Sequence, residues 1–347
     1  KELIRYSVAQ GFPVDVWELG NELNGYPLLI GLTRPPADYA PDFATAKALL
    51  KAEAPQAKLA GPSPAYWPKG GDLGSFYEAF MPAGGKHLDL VTWHYYPTQS
   101  RRCALASRRA TLKTALDPMT LDELAIWASA VEKEAKAHAP GAEVWLGETG
   151  NAQCGGEPGV SDAFAGSFWW LDELAALARR GQQRVIRQTL AGSNYGLLDD
   201  VTLDPKPDYW ASLLWRRTMG EGVLASSVSA GSGTDALLRS YAHCSRKRPG
   251  AVTLLAMNLS TDDPVRVRLE GVGSSREVYL LSAPAGADGA PALDSPTVQL
   301  NGKPLALMGD ALPEIEPEKD SAGPYVDLPP ATIAFVVFPD ASLPLCR

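Results

Sequence analysis

Val16-Trp17-Glu18-Leu19-Gly20-Asn21-Glu22 is a short, mostly apolar stretch that ends in a carboxylate, and the pattern returns at Val144-Trp145-Leu146-Gly147-Glu148-Thr149. A short apolar run is typical of a parallel strand that is buried on both faces. A carboxylate at the carboxyl end of such a strand is costly to bury, unless that rim of a parallel barrel binds substrate. The sequence therefore predicts one site with two glutamates, Glu22 and Glu148, at the ends of two different strands.

The first two-thirds of the chain alternates segments of strand and helix character, which predicts a parallel sheet with right-handed crossovers. The predicted strands are Val14–Asn21, Lys58–Gly61, Leu88–Tyr96, Glu143–Glu148 and Arg184–Leu190. The predicted helices are Glu2–Ala9, Ala37–Ala54, Leu73–Phe80, Leu121–His138, Ala163–Arg180 and Pro207–Met219. The pattern Thr120-Leu121-Asp122-Glu123 predicts a capping box at the start of the fourth helix.

Five strands are too few for a closed (β/α)8 barrel, the TIM barrel, which has eight. An open sheet of five would expose a parallel edge, which proteins avoid. We therefore predict an α/β fold in which a (β/α)8 TIM barrel lacks its first strands in this chain. We expect an N-terminal segment of the same gene product to supply them, either as a separate processed polypeptide or as part of a longer sequence.

The sequence changes character after Gly220, where short alternating segments are separated by Gly, Pro, Asn and Asp. This pattern predicts an antiparallel β-sandwich. The predicted strands are Ala236–His243, Ala251–Leu259, Val265–Leu269, Glu277–Ser282, Thr297–Leu300 and Ile333–Phe338. We predict a catalytic barrel domain over residues 1–219 and a β-sandwich domain over residues 220–347.

Composition excludes several classes of function. The net charge of −8 argues against general nucleic-acid binding, which needs a basic field. The sequence has no apolar run of about 18 residues, so we expect no membrane span. The four cysteines lack the spacing of zinc ligands, and we expect neither a metal nor a cofactor.

The two glutamates are the residue types that glycoside hydrolysis needs. Glu22 is the candidate general acid/base, with Asn21 beside it to bind a sugar 2-hydroxyl, and Glu148 is the candidate nucleophile. A helix-capping Asn with a surface Glu, and a structural Glu paired with Arg, are the alternatives. His94 and Tyr96 end the strand between them, where the Tyr hydroxyl would orient the nucleophile and the His would bind Glu or sugar; a core histidine is the alternative.

Several longer stretches resemble the heparanase-like family 79 of glycoside hydrolases, which belongs to the clan of retaining (β/α)8 glycosidases, and they are most similar to its bacterial heparanases. The match covers most of residues 10–220 and extends more loosely to Cys346. The stretches are Trp17–Asn24, Val91–Tyr96, Val144–Thr149, Gly155-Gly156, Ser161–Phe164, Arg187-Gln188, Asn194-Tyr195 and Pro207–Trp210.

The resemblance implies a retaining endo-β-glucuronidase that cleaves heparan sulfate at internal glucuronic acid. It implies that Glu22 is the acid/base and Glu148 the nucleophile. It implies that the backbone amides around Cys154 and Gly155, together with Tyr195, hold the glucuronate carboxylate, which suits an amide nest. Cys154 stands where the family has Gly. The other residues that the resemblance places in this subsite are Gln188, His94, Tyr96 and Asn21.

The cysteines bear on disulfides and on localisation. Cys244 and Cys346 fall where the family has a disulfide, so the resemblance implies that bridge. Cys103 and Cys154 lie on loops after neighbouring strands, and they form either a second bridge or two free thiols. Disulfides imply a secreted or periplasmic protein.

An acidic protein can still bind a sulfated polyanion, because steering depends on the local field. Arg101 and Arg102 begin a run of cations that follows His94–Tyr96 in one loop, and guanidinium groups suit sulfate and carboxylate. A solvated surface is the alternative for this run. Lys69, in the loop after another strand, is a further candidate. The remaining cations of the run are Arg108, Arg109 and Lys113.

Two other functions stay open at this point. One is an exo-β-glucuronidase or another retaining glycosidase of the same clan, which would use the same pair of glutamates. The other is a non-catalytic glycan-binding protein that keeps the fold.

Overall fold

The structure is a computed structural model, which describes residues 1–12, 14–67, 75–228, 237–246, 248–269, 273, 275–320 and 325–347. The chain divides into two compact units. The first unit comprises Lys1–Pro97, Glu123–Gly150 and Arg180–Gln188. The second unit comprises Thr98–Asp122, Asn151–Arg179 and Thr189–Arg347. The division into a barrel domain over 1–219 and a sandwich domain over 220–347 stays a prediction.

The described residues form short strands and helices that alternate up to Thr218 and mainly strands thereafter. The strands are β1 (Val16–Glu18), β2 (Lys58–Tyr66), β3 (Leu90–Tyr95), β4 (Thr98–Gln99), β5 (Glu143–Thr149), β6 (Ala152–Gln153), β7 (Arg184–Arg187), β8 (Met219–Leu224), β9 (Leu238–Ser245), β10 (Val252–Asn258), β11 (Val265–Arg268), β12 (Arg276–Ser282), β13 (Gln299–Leu300), β14 (Lys303–Pro304), β15 (Glu318–Asp320), β16 (Tyr325–Leu328) and β17 (Thr332–Phe338). The α-helices are α1 (Glu2–Ala9), α2 (Tyr26–Leu29), α3 (Pro36–Glu53), α4 (Ser75–Gly84), α5 (Leu112–Ala115), α6 (Pro118–His138), α7 (Phe164–Arg179) and α8 (Pro207–Thr218).

The first unit contains the predicted parallel sheet, with strand order β1-β2-β3-β5-β7. Every neighbouring pair in this sheet is parallel. β3 is buried along its whole length, as expected for a strand that is covered on both faces. The α/β fold with an incomplete barrel of five parallel strands, followed by antiparallel sheets, is therefore confirmed.

Aromatic side chains pack around the middle of this sheet. Trp93 of β3 contacts Tyr66 at the end of β2, and the Tyr66 ring stacks on both Tyr77 of α4 and Trp127 of α6. Trp93 and Tyr77 are almost completely buried, so this aromatic cluster excludes water from the region below the carboxyl ends of the strands.

The predicted start of the fourth helix was wrong. α6 begins at Pro118 rather than at Leu121, and Thr120 lies inside its first turn. The Asp117 carboxylate accepts hydrogen bonds from the Thr120 backbone N–H at 3.1 Å and from its hydroxyl at 2.7 Å, so Asp117 provides the cap instead of the predicted capping box at Thr120. Proline suits the first helical position because its missing N–H has no partner there anyway. The predicted helix start at Leu73 lies outside the described residues.

The second unit contains an antiparallel sheet with the strand path β14-β13-β12-β17-β10-β9-β8, and β15 also pairs with β12. A second, two-stranded sheet joins β11 to β16. Val326 and Leu328 of this small sheet share a buried cluster with Ala334 and Val336 of β17, so the two sheets pack face to face. The first predicted sandwich strand starts at Ala236, outside the described residues, and β9 is its counterpart.

Two disulfides lie in the second unit. Cys244 is bonded to Cys346, and Cys103 is bonded to Cys154, with Cα atoms 5.2 Å and 5.5 Å apart respectively. The implied Cys244–Cys346 bridge is therefore confirmed, and of the two alternatives for Cys103 and Cys154 the structure has the bridge. Across the described ranges, no helix has the length and apolar character needed to cross a membrane.

Candidate active site

Gly20 turns the chain sharply after β1. Its φ is +81°, a conformation that suits glycine, and a β-carbon there would overlap the Tyr39 hydroxyl. That hydroxyl donates a hydrogen bond to the Leu19 carbonyl at 2.6 Å. These contacts end β1 at Glu18, three residues before the predicted end at Asn21, and they direct the following residues across the strand ends.

Glu22 is held in a left-handed backbone conformation, with φ 49° and ψ 44°. This conformation is uncommon for a residue with a side chain, and it persists where the surroundings fix it. The Glu22 backbone N–H donates to the Ser63 carbonyl of β2 at 3.0 Å. Asn24 exchanges two hydrogen bonds with the Ala65 backbone, at 2.8 Å and 3.0 Å. The end of β2 therefore fixes the position of Glu22.

Glu22, His94 and Glu148 meet at the carboxyl ends of β1, β3 and β5. His94 Nδ1 is 2.9 Å from Glu22 Oε1 and 3.8 Å from Glu148 Oε2. One carboxylate oxygen from each glutamate and one His94 nitrogen all lie within 4.8 Å of one another. His94 is 1% exposed, whereas the side chains of Glu22 and Glu148 are 17% and 26% exposed, so both carboxylates are accessible to a substrate.

Each carboxylate has its own neutralising contact. The Tyr96 hydroxyl donates to Glu148 Oε1 at 2.7 Å, and His94 donates to Glu22 when Nδ1 carries the proton. Two carboxylates at this separation repel each other, and hydrogen-bond donors offset the repulsion. A hydrogen-bond donor therefore faces each of the two carboxylates.

The same three side chains have a geometry in which a metal ion could be held. Two carboxylates that exchange hydrogen bonds with a histidine also form without any ion, and hydrolysis by a carboxylate pair requires none. The expectation that no metal or cofactor takes part stays a prediction.

A polar network that the sequence interpretation missed lies beside this site. The Ser63 hydroxyl donates to Glu18 and lies 2.8 Å from the Thr92 hydroxyl, and both Ser63 and Thr92 are buried. A β-carbon at Gly147 would lie 3.4 Å from Glu18 Oε1 and from Thr92 Cβ. The available signal was Glu18, a carboxylate within the same stretch as Glu22, but its partners come from distant strands.

The remaining first-unit candidates lie close along the chain to the glutamates or at the next strand end. Asn21 directly precedes Glu22 and is exposed. Gln188 follows β7, and its backbone N–H donates to the Thr149 carbonyl at 2.9 Å. Lys69 lies outside the described residues. The roles of Asn21 and Gln188 stay predictions.

Cys154, Gly155 and Gly156 form three successive left-handed residues in the second unit, with φ values of 61°, 83° and 80°. Arg102 Nη1 donates to the Gly155 carbonyl at 3.2 Å and to the Gly156 carbonyl at 3.3 Å. The Asn194 backbone N–H donates to the same Gly155 carbonyl at 2.9 Å, which brings the neighbour of Tyr195 onto this loop. The structure thus collects the predicted carboxylate-binding residues Cys154, Gly155 and Tyr195 in one loop cluster, and Arg102 holds the cluster together.

Arg101 has a different partner from its neighbour Arg102. Its Nε donates to Glu157 Oε1, and its backbone N–H donates to Glu157 Oε2 at 2.6 Å. The sequence interpretation missed Glu157, because Arg101 and Glu157 are 56 residues apart. Arg101 and Glu157 therefore form an ion pair within the second unit.

The sequence around this site matches a known family of enzymes. Residues 1–175 match the family described as "Glycosyl hydrolase family 79, N-terminal domain". The chain belongs to glycosyl hydrolase family 79. Mouse heparanase is 35% identical over 99% of this family 79 chain, and Arabidopsis thaliana heparanase-like protein 1 is 32% identical over 100% of it. The resemblance seen in the sequence is therefore confirmed.

The family 79 chain spans 63% of the length of mouse heparanase and 67% of the Arabidopsis protein. Human inactive heparanase-2 is also similar, with 32% identity over 99% of the chain and 59% of the human protein. Membership of the family therefore does not by itself establish catalysis.

Solved structures agree on the fold. The GH51 alpha-L-arabinofuranosidase of Thermotoga petrophila matches with a TM-score of 0.66 and 14% identity, over 94% of the family 79 chain and 66% of the other. A family 44 endoglucanase of Clostridium acetobutylium matches with a TM-score of 0.65 and 12% identity, over 97% of the family 79 chain and 69% of the endoglucanase chain. At these identities the likeness concerns the fold alone.

Proposed function

We propose that this protein is a retaining endo-β-glucuronidase that hydrolyses heparan sulfate at internal glucuronic acid. The observation that carries the proposal is that one carboxylate oxygen of Glu22 lies within 4.8 Å of one carboxylate oxygen of Glu148. Retaining glycosidases place their carboxyl groups about 5–5.5 Å apart, whereas inverting enzymes leave about 6.5–9.5 Å for a water molecule. The short separation favours direct attack by one carboxylate.

The choice of substrate is supported by the relatives. Mouse and chicken proteins named heparanase share 35% and 34% identity with the chain over 99% and 100% of its length. We therefore propose the same class of polysaccharide for this protein.

The proposed reaction has two displacement steps. Glu148 attacks the anomeric carbon while Glu22 gives its proton to the leaving glycosidic oxygen, which forms a glycosyl ester on Glu148. Glu22, now ionised, takes a proton from water, and the resulting hydroxide displaces Glu148 from the anomeric carbon. The hydrogen bond from the Tyr96 hydroxyl to Glu148 Oε1 orients the attacking carboxylate.

We further propose the predicted substrate contacts. The amides of Cys154 and Gly155, with Tyr195, hold the glucuronate carboxylate, because successive backbone N–H groups in a turn can form an anion-binding concavity. Asn21 and Gln188 bind sugar hydroxyls beside Glu22 and Glu148. The predicted cation contacts are Lys69, Arg101 and Arg102, and of these we propose Lys69 and Arg102, because the Arg101 side chain is paired with Glu157.

The edge of the parallel sheet and the two disulfides support a proposed partner segment and a proposed location. β1 is at the edge of its parallel sheet, so we propose that an N-terminal segment of the same gene product pairs with it and completes the barrel. The two disulfides support a secreted or periplasmic location, where thiols are oxidised.

Digestion of heparan sulfate by the protein, with its N-terminal segment where that segment is present, tests this function. We expect falling chain length and new glucuronate reducing ends, which proton NMR detects first as the β-anomer. Glu148→Gln is expected to lower the rate by about a thousandfold or more. Glu143→Gln is the matched control, because it changes a glutamate at the opposite end of the same strand, paired with Lys58.

Each result discriminates between functions. Release of free glucuronic acid alone would indicate an exo-enzyme that uses the same pair. Binding of the glycan without cleavage by the folded protein would indicate the non-catalytic alternative. An unchanged rate in Glu148→Gln would overturn the assignment of the nucleophile.

A further inference from the structure

Three donors converge on the Glu157 carboxylate. They are the Ser100 hydroxyl at 3.0 Å, the Arg101 backbone N–H at 2.6 Å and the Arg101 side-chain Nε. A hydroxyl, a backbone amide and a guanidinium that face one point are the groups that bind a sulfate or carboxylate. The loop therefore contains an anion site, and a carboxylate of the protein fills it.

Glu157 is fixed in this position rather than resting at the surface. It is 6% exposed, and its own backbone N–H donates to the Ser161 hydroxyl at 2.7 Å. That hydroxyl in turn donates to the Asn151 side-chain oxygen at 2.6 Å. Burial raises the pKa of Glu157. The hydrogen bonds from Arg101 and Ser100 lower this pKa by more than burial raises it, so the pKa of Glu157 falls below the usual value. The carboxylate stays ionised and stays in the site.

The other cations of this loop also donate to the protein. Arg102 donates to the carbonyls of Gly155 and Gly156 and to the Asn194 side chain, and Arg109 donates to backbone carbonyls of the same loop. Within the described residues, the partners of Arg102 are neutral oxygens, whereas Arg101 has a full counter-charge. Glu157 therefore changes the charge that Arg101 presents to a ligand.

Chain connectivity relates this pair to the proposed reaction. Arg101 is in the loop that leaves β3, which ends next to Tyr96, and Glu157 is in the loop that leaves β5, the strand of Glu148. The Cys103–Cys154 disulfide and the parallel pairing of β4 with β6 join these two loops. The pair therefore belongs to the loops that extend from the proposed catalytic strands.

We infer that Glu157 determines sulfation specificity: it occupies the anion-binding face of Arg101, so that the protein cleaves unsulfated stretches of the polysaccharide in preference to sulfated ones. The inference rests on the proposed glucuronidase function. A sulfate that approached Arg101 would meet the Glu157 charge, and it would have to displace a buried, hydrogen-bonded carboxylate to use the three donors.

Two polymers with the same backbone test the inference. One is the unsulfated polysaccharide of alternating glucuronic acid and N-acetylglucosamine, and the other is the same polymer after N-deacetylation and chemical N-sulfation of the freed amines. For the wild-type protein we expect kcat/KM to be about tenfold higher on the unsulfated polymer, the scale of one charge-assisted contact. For Glu157→Gln we expect this ratio to fall by about tenfold, mainly through a lower KM for the sulfated polymer.

Asp327→Asn is the matched control. It releases Arg266 from a carboxylate that accepts from it at 2.6 Å and 3.0 Å, in the small sheet of the same unit. The control also raises net charge by one, and we expect it to leave the ratio at the wild-type value. A general effect of net charge would lower the ratio equally in both variants and would overturn the inference.

Other outcomes are equally decisive. A wild-type preference for the sulfated polymer, or an unchanged ratio in a folded Glu157→Gln, would overturn the inference and leave the proposed function standing. If Glu157→Gln does not fold, the wild-type ratio alone decides, because it needs no variant. Cleavage of neither polymer by the folded wild-type protein would instead be a failure of the proposed function.

Discussion

Gly20→Ala should lower the folding stability by more than the backbone conformation of residue 20 alone would suggest. An alanine at φ +81° costs about 1 kcal/mol of folding free energy. The new β-carbon would also overlap the Tyr39 hydroxyl and approach Tyr39 Cζ and Leu23 Cδ1 to 3.0 Å. If Tyr39 moves away, it loses its 2.6 Å hydrogen bond to Leu19, which costs about 1–2 kcal/mol more. The expected total is about 2–3 kcal/mol.

A matched glycine separates these two contributions. Gly181 has φ +83°, and a β-carbon there would meet nothing within 4 Å. Urea unfolding should therefore give a loss of about 1 kcal/mol for Gly181→Ala and about 2–3 kcal/mol for Gly20→Ala. Adding Tyr39→Phe to Gly20→Ala removes the hydroxyl that overlaps, so the two changes should cost less together than the sum of their separate costs. Equal losses at the two glycines, or strict additivity with Tyr39→Phe, would refute the reasoning.

The same variant should lose activity, because Glu22 is only two residues beyond Gly20. A shift of about 1 Å in a catalytic group can lower a rate by about a hundredfold. We expect kcat of Gly20→Ala to fall by about that factor at a temperature where the protein is folded, while Gly181→Ala keeps the wild-type kcat. A Gly20→Ala protein that is folded and fully active would show that the turn does not position Glu22.

Three further predictions concern other parts of the molecule. Tyr96→Phe removes the hydroxyl that donates to Glu148 Oε1 at 2.7 Å, and it should lower kcat by about tenfold to a hundredfold with little change in the free energy of unfolding. Steady-state kinetics measures kcat and urea unfolding measures the stability, and an unchanged kcat would contradict this prediction. Replacing both Cys244 and Cys346 with Ser opens a loop with a sequence separation of 102 and should lower the free energy of unfolding by about 3–5 kcal/mol, so a melting temperature equal to wild type would be the contrary result. Burial lowers the pKa of His243, although its hydrogen bond to the Gly220 carbonyl opposes this. The contribution of His243 to the free energy of unfolding should therefore be fully present above the unfolded pKa of about 6.5 and should decrease as the pH falls below that value. His243→Gln should flatten the pH dependence of urea unfolding between about pH 7 and 5.

The features that the sequence predicted are those that local patterns determine. A buried parallel strand is a mostly apolar run, and a carboxylate just beyond it is unusual, so Glu22 and Glu148 could be placed at strand ends without knowing their partners. All five predicted strands occur in one sheet, because strand–helix alternation permits few other arrangements. The N-terminal bound of α6 was missed because Asp117 and Thr120 both have side chains that can cap a helix.

The features that the sequence did not predict depend on contacts between distant residues. The contact of Tyr39 with Gly20 and the pairing of Arg101 with Glu157 join residues 19 and 56 positions apart, and neither has a periodic signature. A run of arginines in a loop looks the same whether its charges face a ligand or a buried carboxylate. The sequence therefore located the cations, but the structure was needed to find the anion that Arg101 holds.

Cys154 shows how such a distant contact can replace a local requirement. Its φ of 61° lies in the region that favours glycine, and a side chain there costs about 1–2 kcal/mol. The disulfide to Cys103 closes a loop with a sequence separation of 51, and a restraint of that length destabilises the unfolded chain by about 4 kcal/mol. The bridge therefore offsets the backbone cost of the residue that forms it. A glycine adopts a left-handed turn readily because it has no side chain. Here the covalent bond between two loops keeps Cys154 in that conformation, so the loop retains its left-handed turn with a cysteine at this position.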